Sequence, residues 1–331
     1  MAPTEPITFP NVERSGDSLV VTWRGAPDAS VFLSDNPEDA GTDVRAPDSP
    51  GAAVLELPNP QERYYVHLFA DGGPFVVVAE RRLPLEGPYN VRDLGGYSTP
   101  NGPTLWGRVY RSDNPALLTA PDIAYLQHLG VEVACDYRSD REVEADPSKL
   151  ASVDGISYER LPISSSGPDQ TSVVDSLMDG TLRSFSFEDM ADAYSRMLDW
   201  YSDSLAAVIC HVANPARGPV LFNCQGGKDR TGLTAALLLL MVGVDDGTVL
   251  DDYELSSRYL PADRLEARYQ ALAAIDIDRD AVAGMFELRR KTLKITLAAV
   301  RERYGSIDAY LRDHMGLTDA EFAGVQKKLV G

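Results

Sequence analysis

Cys224 and Arg230 stand with five residues between them in the stretch Asn223-Cys-Gln-Gly-Gly-Lys-Asp-Arg-Thr-Gly232. That arrangement suits a thiolate attacking the phosphorus of a phosphate monoester. Gly226 and Gly227 let the backbone curl, so that successive N–H groups, from Gln225 through Lys228, converge on one anion. A helix starting near Arg230 adds the positive end of its dipole, and such surroundings favour the thiolate over the thiol. The planar fork of Arg230 can hold two phosphoryl oxygens and follow their charge into the transition state, which a lysine cannot copy. Lys228 adds a point charge, and Thr231 a hydroxyl beside the thiolate.

The reaction also needs an acid for the leaving oxygen and a base for the attacking water. Asp229, inside the loop, is one candidate. Asp136, at the carboxyl end of an expected parallel strand, is the other, because such strands present ligand-binding groups at that end. Asp136 and Arg138 read equally well as a salt-bridged strand end, or as a catalytic and a substrate-binding group. A Walker-type nucleotide loop does not fit: Lys228 is followed by Asp229, and position 222, where that motif needs glycine, is Phe222.

The elements that must position this loop follow from the pattern around it. A short apolar strand, 219–223, leads into Cys224, and an apolar run, 233–244, follows; it is too short for a membrane span and reads as a buried helix. From about residue 84 onward, apolar strands at 108–110, 131–137, 157–163 and 219–223 alternate with helices, which argues for a largely parallel sheet covered on both faces. Thr119 should cap a helix carrying Ile123, Leu126 and Leu129, ended by Gly130, giving a strand–helix–strand crossover. After residue 248 the chain turns largely helical. The stretch 164–183, rich in Ser, Gly and Asp, reads as a lid or a mobile loop.

Before residue 84 the pattern is different: short strands at 18–23, 30–34, 52–57, 63–70 and 75–82, the last two joined as a hairpin through Asp71-Gly72-Gly73-Pro74. The expectation is an α/β protein in two parts, a small β-rich, sandwich-like domain over 1–84 and the loop-bearing domain over 85–331.

Charge and cysteine content bound the partners. The 331 residues carry 50 Asp plus Glu against 31 Lys plus Arg, a formal charge of −19, so nucleic acid and anionic membranes are poor partners and a positive pocket must be built locally. Cys135, Cys210 and Cys224 lack disulfide or metal spacing, and Cys135 and Cys210 read as small buried hydrophobes. The four histidines are scattered, so neither metal nor other cofactor is expected. The first residues, MAPTEPITFP, do not read as a secretory signal, and a cytoplasmic location is expected.

The loop resembles that of the bacterial tyrosine phosphatases, which reads His-Cys-x-x-Gly-Lys-Asp-Arg-Thr-Gly. Further segments carry the likeness: Asn90-Val-Arg-Asp-Leu-Gly-Gly-Tyr97, Val109-Tyr-Arg-Ser112, Cys135-Asp-Tyr-Arg-Ser139 with Glu142 after it, and Tyr304-Gly-Ser-Ile-Asp-Ala-Tyr-Leu311 with Gly316-Leu317. The resemblance spans about residues 87–329. It implies a cysteine-phosphatase fold with Cys224 as nucleophile, Arg230 as phosphate clamp, and Lys228 and Asp229 tied to activity, acting on phosphotyrosine and in some members on phosphoserine, phosphothreonine or phosphoinositides. Asn223 stands where the family has histidine. That departure and the acidic surface keep open a small phosphorylated metabolite, a nucleotide, sugar or inositol phosphate, as substrate. A third reading is a module that binds phosphate without hydrolysing it, which the intact Cys224, Asp229 and Arg230 oppose.

Overall fold

The structure is a computed structural model that describes residues 6–42, 44–70, 75–164 and 173–331. Seven strands come first: β1 (Thr8–Ser15), β2 (Ser18–Arg24), β3 (Ser30–Ser34), β4 (Val44–Arg45), β5 (Ala52–Glu56), β6 (Tyr65–Phe69) and β7 (Val76–Ala79). They form two antiparallel sheets, ordered β1-β2-β5 and β4-β3-β6-β7. Leu19, Val21 and Trp23 alternate inward on β2, and they share one apolar cluster with Leu55 of β5 and with Val31, Val66 and Val78 of the other sheet. The period-2 pattern was legible for β2, β3 and β5. It failed for β1, where Pro10 interrupts the sequence and the pairing register shifts between Thr8 and Asn11. β6 and β7 pair antiparallel as expected, and both are shorter than read. Their connecting turn, 71–74, lies outside the described residues.

The second part of the chain builds a five-stranded sheet. Its strands are β8 (Arg92–Asp93), β11 (Val109–Ser112), β12 (Val133–Asp136), β13 (Ser157–Arg160) and β14 (Val220–Asn223); a small hairpin, β9 (Ser98–Thr99) and β10 (Gly102–Pro103), stands apart. The order is β13-β12-β14-β11-β8, with four parallel strands and β8 antiparallel at one edge. The expected crossover from β11 to β12 exists, and β14 lies between the two strands. Successive residues feed opposite faces: Val109, Val133, Cys135, Val220 and Phe222 enter one cluster, and Tyr110, Ala134 and Leu221 the other. A strand buried on both faces needs such near-continuous apolar runs.

Helices cover the sheet. They are α1 (Ala120–His128), α2 (Asp140–Ala145), α3 (Val173–Met178), α4 (Phe187–Trp200), α5 (Ser202–Ala213), α6 (Asp229–Met241), α7 (Asp246–Tyr259), α8 (Ala262–Ala273), α9 (Ala283–Phe286) and α10 (Arg290–Tyr304), with a last helix at Asp319–Leu329. Thr119 caps α1 in a reciprocal capping box with Asp122, and Gly130 follows at a φ of +72°. α6 is apolar all round because it runs through the centre of the main cluster, against α4, α5 and α7. Within the expected loop 164–183, Val173–Met178 is helical and Leu177 packs in a separate apolar cluster with Tyr269, Leu272, Ile277, Val282 and Phe286. Residues 165–172 lie outside the described residues.

Candidate active site

The four parallel strands end level with one another. Ser112 and Asp136 lie opposite Asn223, and Arg160 opposite Asp136, so the segments after β11, β12 and β14 leave the sheet at one edge. Cys224 emerges there, 1% exposed, and the loop closes into the first turn of α6, which starts at Asp229, one residue earlier than the sequence suggests. Gly227 has a φ of +63°, and a Cβ on it would lie 2.8 Å from the carbonyl carbon and oxygen of Ser112 and from the amide of Asp113. Only glycine meets both conditions, and the close approach seats the loop on the end of β11.

The loop is held from behind. Asn90 Nδ2 donates to the carbonyls of Gly226 and Gly227, each at 3.1 Å, and Arg111 Nη2 donates to Gly227 at 2.8 Å. Within a planar peptide C=O and N–H point opposite ways, so these contacts turn the amides of Gly227 and Lys228 toward the concave side. Asn90 is itself set by Asp113, whose carboxyl accepts the amides of Tyr89 and Asn90; burial raises Asp113 to about 6 despite those bonds.

Arg111 belongs to a fully buried ion cluster. Asp252 on α7 accepts from Arg111 Nη1 at 2.5 Å, Arg92 Nη1 at 3.0 Å and the Tyr97 hydroxyl at 2.7 Å, while Arg92 Nη2 reaches Ser256 at 2.8 Å. Burial pushes Asp252 up, but the two arginines and the tyrosine outweigh it and hold the carboxyl at about 2. Burial and the neighbouring Arg111 together lower Arg92 to about 10, which leaves it cationic at neutral pH. Asp252→Ala strands two buried guanidinium groups. It is expected to destabilise the fold by about 3–5 kcal/mol, read as a lower urea midpoint at pH 7, and an unchanged midpoint would refute the assignment. Because the folded value lies below the ordinary one, the contribution of Asp252 is present above about pH 4 and is lost as the pH falls toward 2.

Arg230 is gripped by Glu142: Nη1 to Oε2 at 2.7 Å and Nη2 to Oε1 at 2.8 Å, with Nη1 also near the carbonyls of Ile163 at 3.1 Å and Tyr137 at 3.3 Å. Glu142 can do this because it already closes the capping box of α2, accepting from the Ser139 amide at 2.7 Å. Burial would raise Glu142, yet the Arg230 fork and the Ser139 donors lower it below its ordinary value. Asp229 Oδ1 accepts from the Tyr194 hydroxyl, and Oδ2 lies 3.6 Å from Lys228 Nζ. Lys228 is mostly buried and donates to the Met285 carbonyl of α9 at 2.8 Å.

Asp136 and Arg138 lie outside this circle. Both are 0% exposed. Asp136 accepts from Arg138 Nη2 at 2.7 Å, Tyr158 at 2.8 Å and Asn223 Nδ2 at 2.8 Å, so its oxygens are spent on protein groups. Arg138 Nη1 goes to Asn114 and to the Asp146 carbonyl, both at 2.7 Å. Of the two readings of this pair, the geometry matches the salt-bridged strand end, one that also steadies the residue before Cys224. Gln225 Oε1, Thr231 Oγ1 and Asn223 Oδ1 are buried beside the loop with no hydrogen-bond partner among the described residues. Cys135 is buried, which raises its thiol to about 12, whereas Cys210 is only half-buried and contacts Glu321 at 3.8 Å.

Sequence reasoning missed Tyr194, Tyr253 and Asp252 altogether. It met Asn90, Arg92, Arg111 and Glu142 without finding their partners. Each reaches the site from a distant element, and the signals available were a charged side chain within a buried strand, for Arg92 and Arg111, and the Ser139-x-x-Glu142 cap of α2.

A sequence profile of the tyrosine phosphatase family matches residues 83–331. A Cupriavidus necator protein whose name assigns it to the tyrosine-protein phosphatases is 32% identical over 241 residues, 71% of this chain and 84% of that protein. Triple specificity protein phosphatase PtpB of Mycobacterium tuberculosis is 30% identical over 288 residues, 77% of this chain and 100% of that protein. Among solved structures, P. aeruginosa TpbA gives a TM-score of 0.26 at 17% identity, covering 58% of this chain and 86% of that one, too distant to bear on the assignment. The profile match and these two relatives settle the class: the chain belongs to the tyrosine phosphatase family and is a phosphatase.

Proposed function

We propose that the chain hydrolyses phosphate monoesters, phosphotyrosine in proteins foremost, through a phosphocysteine formed on Cys224. The observation that carries this reading is the loop itself, with a buried thiol between β14 and the first turn of α6 and its carbonyls drawn backward by Asn90 and Arg111. The Cys224 sulfur attacks phosphorus while the bond to the leaving oxygen breaks, and Asp229 gives that oxygen a proton. Water then attacks phosphorus, the P–S bond breaks, Asp229 takes the water's proton, and inorganic phosphate leaves with the thiolate restored. Glu142 spans Nη1 and Nη2 of Arg230 and the two carbonyls take Nη1 as well, so Nε–H and the second N–H of Nη2, on one edge of the fork, are left to meet two phosphoryl oxygens. The Lys228 side chain and the amides from Gln225 to Lys228 complete the cradle, and the Thr231 hydroxyl, which has no hydrogen-bond partner among the described residues, is offered to the sulfur. Asp136 and Arg138 act at one remove, by steadying Asn223.

The β-rich stretch over 1–84 is taken as a sandwich-like domain of its own, and the protein as cytoplasmic, where a catalytic thiol stays reduced. No helix among the described residues is long and apolar enough to cross a membrane. Rapid mixing with p-nitrophenyl phosphate in excess chelator tests the chemistry. The expected result is a burst of nitrophenol equivalent to the enzyme and a trapped phosphoenzyme; activity that the chelator abolishes would defeat the reading. Specificity constants for phosphotyrosine peptides against nucleotide, sugar and inositol phosphates decide the substrate, and a preference for the latter would move the assignment to a small metabolite.

A further inference from the structure

Among the described residues, Asp229 is hydrogen-bonded through one of its two oxygens, while the other stands in a looser ion pair. Its Oδ1 accepts from the hydroxyl of Tyr194 on α4, and that hydroxyl lies 2.8 Å from the hydroxyl of Tyr253 on α7. The two rings meet edge to face at 84°, with centroids 6.3 Å apart, and both tyrosines are buried. Tyr253 also floors the first turn of α6: a Cβ on Gly232 would lie 3.0 Å from its ring. The other oxygen, Oδ2, is 3.6 Å from Lys228 Nζ, on a side chain that is 24% exposed. Burial holds both phenols well above their ordinary value, with Asp229 pushing the same way, so they remain hydroxyl donors at any working pH.

We infer that Tyr194, backed by Tyr253, is a positioning residue for proton transfer, locking the Asp229 carboxyl through Oδ1 so that Oδ2 faces the leaving oxygen. This rests on the reading of Asp229 as the acid. A carboxyl torsion is a broad, two-fold well and does not hold one orientation unaided. A hydrogen bond from a rigid buried ring supplies that orientation, and α4, which packs against α6, brings it from 35 residues earlier in the chain. Proton transfer needs hydrogen-bond distance to the leaving oxygen, so a carboxyl free to turn spends most of its time out of reach. Tyr194 itself donates or accepts no proton in the balance of the reaction.

The test is leaving-group dependence. Tyr194→Phe removes one hydroxyl and keeps the buried ring. On phenyl phosphate, whose leaving oxygen needs a proton, kcat/KM should fall about 10- to 100-fold. On 2,4-dinitrophenyl phosphate, whose leaving group departs unprotonated, it should change less than about threefold. In an Asp229→Asn background, Tyr194→Phe should add nothing further. Equal losses on both substrates, or a loss that persists without the Asp229 carboxyl, would overturn the inference. If Asp229→Asn itself shows no leaving-group dependence, the assignment of Asp229 as acid fails; if Asp229→Asn shows it and Tyr194→Phe does not, only the role of Tyr194 fails. Should Tyr194→Phe not fold, as its thermal melt would reveal, Tyr253→Phe in the same pair of assays must show the same asymmetry at smaller amplitude, and a flat response there overturns the proposal.

Discussion

Cys224→Ser is expected to lower kcat/KM on an aryl phosphate at least about 10,000-fold while phosphate or vanadate still binds within a few-fold of the unaltered protein. The size follows from chemistry: a serine oxygen is a far weaker nucleophile toward phosphorus and a poorer leaving group than a cysteine sulfur, and a lost nucleophile in other hydrolases costs still more. Such a loss corresponds to about 5.5 kcal/mol of transition-state stabilisation. The retained binding follows from the architecture. The loop carbonyls are held by Asn90 and Arg111, the helix dipole by α6, and the seat of Gly227 on β11 by backbone contact, none of which involves sulfur. Calorimetric titration with vanadate beside a turnover assay reads both halves. Turnover within tenfold of the unaltered protein would end the proposal of a phosphocysteine.

Arg230→Lys carries the next largest effect, a fall of about a thousandfold or more in kcat/KM, in the range measured for arginines that stabilise a transferring phosphoryl group. Charge is conserved in this change, so the loss isolates geometry. Glu142 takes one nitrogen of the fork by each of its oxygens, at 2.7 and 2.8 Å, and so orients the remaining edge. A lysine has one nitrogen. Paired with Glu142 it cannot span two phosphoryl oxygens, and turned to the substrate it leaves Glu142 half-buried without its partner. A kcat/KM within about tenfold of the unaltered value would show that Arg230 acts as a point charge only.

Much of the fold was legible, and the failures have identifiable physics. The strands that alternate or run apolar, β2, β3, β5, β12 and β14, were read within a few residues because a buried face imposes its period on the sequence. β1 was not, since Pro10 and the register shift break that period. The insertion of β14 between β11 and β12 was not legible either, because strand order depends on which faces bury best together and leaves no local mark. Asp136 shows the same limit at the site. Its position at a strand end made it a fair candidate acid, but a strand end points into the sheet edge as well as out of it, and here Arg138, Tyr158 and Asn223 take its oxygens.

What the order of residues determined was the loop: the thiol, its glycines, its arginine and the helix that follows all lie within one strand–turn–helix, so local conformation alone brings them together. Only the tertiary structure decided what holds that loop and aims its groups. Asn90 reaches Gly226 across 136 residues of chain, Arg111 reaches Gly227 across 116, Glu142 reaches Arg230 across 88 and Tyr194 reaches Asp229 across 35. Buried polar groups must find partners wherever the packing puts them. Which partner each one meets is settled when the helices close on the sheet, after every local preference has been satisfied.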